Sequence, residues 1–217
     1  MARANFGIFD IDTRQARNSG GWTYVGRAAP YRDKIDRLIG AATSNHVPLV
    51  VTSCVGANML PKDAFEKNFK DTLFVPMDSD DTAWSSQCDS YNIFYIEKKA
   101  RRPDFSYDGP FPPHQMFLNS ENANRLIQKL DIDEWIVIGN AMEACGDLVI
   151  VKLLEHCRRV RYIPELMIPG IRCQNCDPVE FKANVFASWD KIHAEPMALE
   201  DAYRYVEGSH GDAKAVA

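Results

Sequence analysis

The sequence predicts an α/β fold in which one three-layer αβα domain is built on a mainly parallel sheet of about six strands. Apolar runs of strand length alternate with segments of helical period along most of the 217 residues. This alternation is the βαβ pattern of a parallel sheet covered on both faces. The chain is 46% hydrophobic and 25% charged, which is ordinary for a globular protein. Its length leaves little room for two complete cores, so we expect one domain over residues 1–207 and a flexible tail over 208–217.

The first half of the chain predicts three strands and two helices. In order, they are a strand over Asn5–Asp10, a helix over Tyr31–Ser44, a strand over Val47–Thr52, a short helix around Asp63–Phe69 and a strand over Tyr91–Glu97. A loop rich in Gly and Asn precedes the first helix, and the stretch from Cys54 to Asp89 has weak periodicity.

The second half predicts a long loop and then further βα units. The segment Pro103–Leu118 carries four prolines and no period, which is typical of a lid or binding loop. The predicted elements after it are a helix capped by Asn119-Ser120 and ending at Leu130, a strand over Trp135–Gly139, a helix over Glu143–His156, a strand over Val160–Ile163, a helix from Pro178 through Ala187, a short strand near Lys191–Ala194 and a helix over Ala198–Val206.

Charge and cysteine content exclude several classes of protein. The chain has 25 Lys and Arg against 30 Asp and Glu, a formal charge of −5, so nucleic acid is not an expected partner. It lacks both an apolar run of the roughly 20 residues that a membrane span needs and the apolar core of a signal peptide, so we expect a cytoplasmic protein without a membrane partner. Its six cysteines are too sparse for a disulfide scaffold and are interpreted as reduced thiols.

Reactive side chains follow three of the predicted strands. Asp10 ends the first strand, Lys98 and Lys99 follow the third, and Cys145 begins the helix after Trp135–Gly139. Ligands of open parallel sheets bind beyond the carboxyl ends of the strands, so these groups can converge. A thiol beside a proton acceptor and a positive charge is a candidate nucleophile.

These residues resemble the Asp–Lys–Cys cysteine hydrolases of the isochorismatase-like superfamily. Three features carry the resemblance, which spans Asn5 to Ile163: Phe9-Asp10 on the first strand, Lys99 six residues before Phe105, and the run Gly139-Asn-Ala-Met-Glu-Ala-Cys145 after an apolar strand.

The resemblance implies a role for each matching residue. Cys145 would be the nucleophile, Asp10 the general base and later acid, and Lys99 their electrostatic partner. The backbone N–H groups of Ala141 and Cys145 would form the oxyanion hole, beside a cis peptide bond between Asn140 and Ala141. No cofactor is implied.

Three positions depart from the superfamily pattern. Asp-x-Gln is usual on the first strand, whereas this chain has Asp10-Ile-Asp12. The Asp-x-His metal motif of nicotinamidases aligns with Cys54-Val-Gly56, so we expect no metal and disfavour nicotinamide as the substrate. The usual Val after the nucleophile is Gly146.

Simpler interpretations stay open for each candidate. Lys98 is the alternative to Lys99, because strand alternation sends the two to opposite faces. From its position alone, Cys145 is equally compatible with a buried structural thiol, and the alternative for Asp10 is a loop cap. Cys173 and Cys176 have the spacing of half a zinc site, which Cys157, His156 or His193 could complete. Five residues are candidate substrate contacts that are also compatible with surface or packing roles: Trp22, Tyr24, Arg101, Arg102 and His114.

The sequence therefore predicts a cofactor-independent cysteine hydrolase that acts on a small amide, ureido or related acyl compound through a thioester on Cys145. The alternative is a non-catalytic member of the same fold that binds a small molecule or a partner. The resemblance also implies a homo-oligomer, either a dimer or a tetramer.

Overall fold

The central sheet is mainly formed by strands that are buried on both faces. A computed structural model describes residues 5–17, 19–53, 60–77, 79–98, 121–170 and 176–208. Within these residues the sheet has seven strands in the order β5-β6-β4-β1-β7-β8-β9, and every neighbouring pair is parallel. The sheet strands are β1 (Phe6–Ile11), β4 (Leu49–Thr52), β5 (Thr72–Val75), β6 (Ile93–Ile96), β7 (Glu134–Asn140), β8 (Arg159–Ile168) and β9 (Glu195–Pro196).

Helices cover both faces of the sheet, as the alternating pattern predicts. The α-helices are α1 (Arg32–Ser44), α2 (Lys62–Asn68), α3 (Glu121–Leu130), α4 (Asp147–Leu154), α5 (Pro178–Asp190) and α6 (Leu199–Gly208). Turns of 3₁₀ helix span Ala29–Tyr31 and Ala83–Ser90. No helix among the described residues is long and apolar enough to cross a membrane.

The apolar core forms two layers, because alternate residues of each strand point to opposite faces. The first layer, which includes Phe9, Ile11 and Phe94, packs against α3, α4 and α5. The second layer, which includes Ile8 and Val51, packs against α1 and α6. An aromatic cluster beside the second layer joins α2 to the β5–β6 edge; its members are Phe65, Phe69, Phe74 and Tyr95, with Trp22 packed against them.

The structure confirms the α/β prediction and corrects some elements. The loop before α1 contains an antiparallel hairpin of β2 (Arg14–Ala16) and β3 (Trp22–Tyr24), whose three-residue strands are too short to show a period. β5 lies in the stretch of weak periodicity, so the sheet has seven strands instead of about six. The short strand predicted near Lys191–Ala194 lies slightly later, over Glu195–Pro196, because the pairing with β8 begins at Glu195.

Candidate active site

Three side chains from distant parts of the chain meet at the carboxyl edge of the sheet. Asp12 follows β1, Lys98 lies two residues beyond β6, and Cys145 follows β7. The Nζ atom of Lys98 lies 2.6 Å from Oδ2 and 2.9 Å from Oδ1 of Asp12, and 3.6 Å from Sγ of Cys145. The structure thus brings together one carboxylate, one ammonium group and one thiol. These are the three types of group that the sequence predicts at this edge of the sheet.

Asp12 is also held from the neighbouring strand β4. The hydroxyl of Thr52, the last residue of β4, donates to Oδ1 of Asp12 at 2.7 Å. The backbone N–H of Asp12 donates to the backbone carbonyl oxygen of Thr52, with 3.1 Å between the nitrogen and the oxygen. Thr52 was not singled out from the sequence, although its place at the carboxyl end of an apolar strand is a signal that could have found it.

The structure places Asp12, not Asp10, beside the thiol, which corrects the carboxylate predicted for this site. Strand alternation puts Asp10 on the side of Ile8, in the second core layer, whereas Cys145 packs against the first layer. Asp12 escapes this alternation because its φ is +54°, in the left-handed region. Asp10 is fully buried and pairs with Arg14, 3.1 Å away.

Strand alternation also explains why Lys98 reaches the site. Lys98 has the same parity as Phe94 and Ile96, which face the first core layer, where Cys145 lies. The structure therefore selects Lys98, the alternative left open by the sequence. The predicted Lys99 lies outside the described residues.

Cys145 lies in a turn of π-helix between β7 and α4. Met142–Gly146 forms this turn, in which the carbonyl of Ala141 accepts from Ala144 N–H at 3.1 Å and from Gly146 N–H at 3.0 Å. The Asn140–Ala141 peptide bond is cis, as the resemblance implies. Among the described residues, Cys145 is half-buried.

The environment of the thiol keeps it protonated at rest. Burial is the main cause that raises the pKa of Cys145, to about 11. The Lys98 charge lowers this pKa, whereas the Asp12 charge and a hydrogen bond to Asp12 raise it. At neutral pH the site therefore holds a thiol next to a carboxylate–ammonium pair, and not a preformed thiolate.

Two contacts fix the turn that carries the thiol. The Glu143 carboxylate accepts the Gly170 backbone N–H at 2.8 Å. A Cβ atom at Gly170 would lie 2.2 Å from Cβ of Ala141, so only glycine allows this approach. A Cβ at Gly146, the residue after Cys145, would lie 3.1 Å from the end of the Met167 side chain.

Two of the predicted substrate contacts, Trp22 and Tyr24, lie in the β2–β3 hairpin, and the other three lie outside the described residues. Trp22 packs in the aromatic cluster, 4.7 Å from Phe69 between ring centroids. Tyr24 donates a 2.6 Å hydrogen bond to Asp36, on α1. The structure gives both residues packing contacts in the hairpin region. The following predicted positions are outside the described residues: Cys54, Arg101, Arg102, His114 and Cys173.

The described residues hold no candidate metal centre. They contain no group of three or more His, Cys, Asp or Glu side chains arranged to bind an ion. Cys176, from the predicted half zinc site, is exposed, and Cys157 makes contacts with the carbonyl groups of Leu153 and Arg159 instead.

Comparison with solved structures identifies the fold. A cysteine hydrolase from Pseudomonas syringae pv. phaseolicola 1448A has a TM-score of 0.56 at 13% identity, covering 96% of this chain and 95% of that chain. An isochorismatase from Pseudomonas putida KT2440 has a TM-score of 0.53 at 12% identity, covering 92% and 91%. The YcaC gene product of Escherichia coli, an octameric hydrolase of unknown specificity, has a TM-score of 0.55 at 9% identity, covering 94% and 80%.

No protein-family profile matches this sequence, and no curated protein matches it. The structural likeness extends over nearly the whole chain despite the low identity. The chain therefore has the isochorismatase-like α/β fold.

Proposed function

We propose that this chain is a cysteine hydrolase that cleaves a small amide, ureido or related acyl compound through a thioester on Cys145. One observation carries the proposal: the Lys98 ammonium group contacts both the Asp12 carboxylate and the Cys145 sulfur at the edge of the sheet where ligands bind. Asp12 takes the role that the resemblance suggested for Asp10, and Lys98 the role suggested for Lys99.

Acylation needs a proton transfer, because the resting thiol is protonated. Asp12 accepts the thiol proton as the Cys145 sulfur attacks the carbonyl carbon, and Lys98 stabilises the developing thiolate. The carbon–nitrogen bond then breaks, and the leaving nitrogen takes the proton from Asp12. The product of this step is an amine and an acyl thioester on the sulfur.

Deacylation uses the same groups in reverse. Asp12 accepts a proton from water as the water oxygen attacks the thioester carbon. The carbon–sulfur bond breaks, the acid leaves, and the proton returns from Asp12 to the sulfur. The N–H groups of Ala141 and Cys145 are the proposed donors to the oxyanion in both steps, and one such donor is worth about 10²–10³ in turnover.

A small-molecule substrate and self-assembly are part of the same proposal. Arg101, Arg102 and His114 stay as predicted substrate contacts that the described residues do not test. The octameric state of the Escherichia coli YcaC gene product, which has the same fold, supports a homo-oligomer.

Substitution of the nucleophile tests the function. Small amides, ureido compounds and p-nitrophenyl acetate are assayed with Cys145→Ser and with Cys157→Ser, the control at a half-buried thiol that contacts the carbonyl groups of Leu153 and Arg159. We expect Cys145→Ser to lose at least ~10³-fold of turnover with an unchanged circular dichroism spectrum, and Cys157→Ser to keep it. An acyl group should be found by mass spectrometry on Cys145 alone. Hydrolysis at the wild-type rate by Cys145→Ser would refute the proposal, and so would wild-type protein that turns over no compound of the panel, which would favour the non-catalytic alternative.

A further inference from the structure

A second buried ion pair adjoins the candidate active site and is not used in the proposed reaction. The Asp10 carboxylate accepts from Thr13 Oγ1 at 2.6 Å and from Arg14 Nε at 3.2 Å, and its Oδ2 lies 3.1 Å from Arg14 Nη2. Asp10 is 0% exposed and Arg14 is 8% exposed. Burying a charged pair has a desolvation cost, so a pair this deeply buried is expected to have a role at its position on the chain.

Asp10 and Arg14 lie on either side of Asp12 in the sequence. The direction of the Asp12 side chain determines which carboxylate lies beside the thiol. Thr13 and Arg14 come directly after Asp12, and both donate to Asp10, which precedes it. These hydrogen bonds close a turn of the chain around Asp12. Asp12, inside this turn, has the left-handed φ of +54°. In a regular strand Asp10 and Asp12 would share one face, away from Cys145. The turn sends them to different cations, Asp10 to Arg14 and Asp12 to Lys98.

We propose that Asp10 and Arg14 are positioning residues that hold Asp12 toward Lys98 and Cys145. The inference rests on the proposed function, in which Asp12 accepts the thiol proton. The carboxylate of Asp10 acts in two ways: it fixes the turn through Thr13, and it occupies the Arg14 guanidinium so that this cation does not compete with Lys98 for Asp12.

The carboxylates of the two ion pairs belong to residues that are two positions apart on the chain. The Asp12 charge is among the causes that raise the pKa of Asp10, after burial, which is the largest. Both carboxylates and both cations are less than a tenth exposed. A buried guanidinium that loses its carboxylate is strongly driven to another one, and Asp12 is the adjacent carboxylate on the chain.

Alkylation of Cys145 tests the inference without a known substrate. The rate with iodoacetamide at pH 8 is measured by peptide mass spectrometry as a ratio to that of Cys157 in the same sample, so that general loosening of the fold cancels. In Asp10→Asn we expect Arg14 to draw Asp12 from the thiol. Lys98 is then left to stabilise a thiolate, and the ratio should rise at least threefold. In the double variant Asp10→Asn/Arg14→Met neither charge remains, and the ratio should return to within twofold of wild type.

Two further variants complete the design. Asp36→Asn removes an exposed carboxylate bound to the same hairpin and should leave the ratio unchanged. If Asp10→Asn does not fold, Thr13→Val removes only the hydroxyl donor to Asp10 and should raise the ratio at least 1.5-fold. An unchanged ratio in the folded Asp10→Asn or Thr13→Val protein, or a double variant that stays as far from wild type as Asp10→Asn, overturns the inference.

The outcome is separable from that of the proposed function. If no compound is hydrolysed but the ratios change as expected, the hydrolase proposal fails and the positioning of Asp12 stands. If Cys145 is required for hydrolysis but the ratios do not change, only the positioning inference fails.

Discussion

At the scale of single residues, the candidate site depends on the protonation of the Cys145 thiol, which Lys98 and Asp12 influence. Burial holds the pKa of Cys145 well above its ordinary value, and the opposed charges of Lys98 and Asp12 adjust it in opposite directions. A carboxylate beside a protonated thiol suits a reaction in which proton transfer accompanies attack. The same carboxylate disfavours the thiolate, because its negative charge raises the pKa of Cys145.

Asp12→Asn is expected to change reactivity in two opposite directions. Turnover should be lost, because the amide cannot accept the thiol proton. Alkylation of Cys145 at pH 8 should become faster, because removing the negative charge lowers the thiol pKa while Lys98 remains. We expect about threefold for each unit by which the pKa falls, since the tenfold gain in thiolate is partly offset by weaker nucleophilicity.

Cys157 is the internal control for that measurement. Its pKa is also raised to about 11, mainly by burial, but its contacts are the carbonyl groups of Leu153 and Arg159. Its alkylation should be the same in wild type and in Asp12→Asn. Slower alkylation of Cys145 in the variant would contradict the role given to Asp12.

At the scale of elements, the site exists because β1 and β7 approach closely at their carboxyl ends. Gly139, near the end of β7, pairs with Ile11 and has a φ of +137°, which L side chains rarely adopt. A Cβ at Gly139 would lie 2.2 Å from the Ile11 carbonyl oxygen. The end of the strand just before the turn that carries Cys145 therefore requires glycine for both its conformation and its packing.

Gly139→Ala should destabilise the protein strongly. We expect a loss of at least ~3 kcal/mol in the free energy of unfolding in urea, because the methyl group overlaps backbone atoms of β1. Gly40→Ala is the matched control on α1, where a Cβ would meet nothing within 4 Å. It should stabilise the protein by about 0.5–1 kcal/mol, since alanine favours helix. A Gly139→Ala protein within 1 kcal/mol of wild type would show that the approach is not tight.

At the scale of the whole molecule, one sheet contributes to both core layers. Ile8 faces α1 and α6, whereas its neighbour Phe9 faces α3, α4 and α5. Both layers pack on the same strands. If one layer lost its packing, the strands that support the other layer would lose their cover as well. The described residues should therefore unfold as one cooperative unit.

Leu38→Ala and Leu126→Ala test this cooperativity from the two sides. Leu38 is buried in the second layer and Leu126 in the first, each at 0% exposure. Each substitution should reduce the free energy of unfolding by about 2–5 kcal/mol. The buried tryptophans Trp84, Trp135 and Trp189 pack in the first layer, yet the fluorescence transition should shift equally for both variants and coincide with that of circular dichroism.

Val179→Ala is the surface control for these two variants. Val179 is 76% exposed, so its loss should change the free energy of unfolding by less than ~0.5 kcal/mol. A fluorescence transition that stays at the wild-type midpoint in Leu38→Ala would mean that the layers unfold separately.

The sequence by itself determined the order of the larger strands and helices and the chemical types at the site. Periodicity reports local burial, so long elements such as α1 and β7 were predicted within a few residues of their bounds. The three-residue strands of the β2–β3 hairpin are too short to show a period, and the edge strand β5 lies in a stretch of weak periodicity, so the sequence predicts neither. Cys145 was found because it follows the most apolar strand of the chain.

Tertiary structure alone decided which carboxylate and which lysine meet the thiol. Asp10 and Asp12, like Lys98 and Lys99, are near neighbours whose types do not distinguish them. Asp12 lies beside the thiol with a left-handed backbone, whereas the buried Asp10 pairs with Arg14. The choice of Lys98 depends on the face of β6 that the first core layer covers. Such contacts join segments up to 133 residues apart, so no local pattern encodes them.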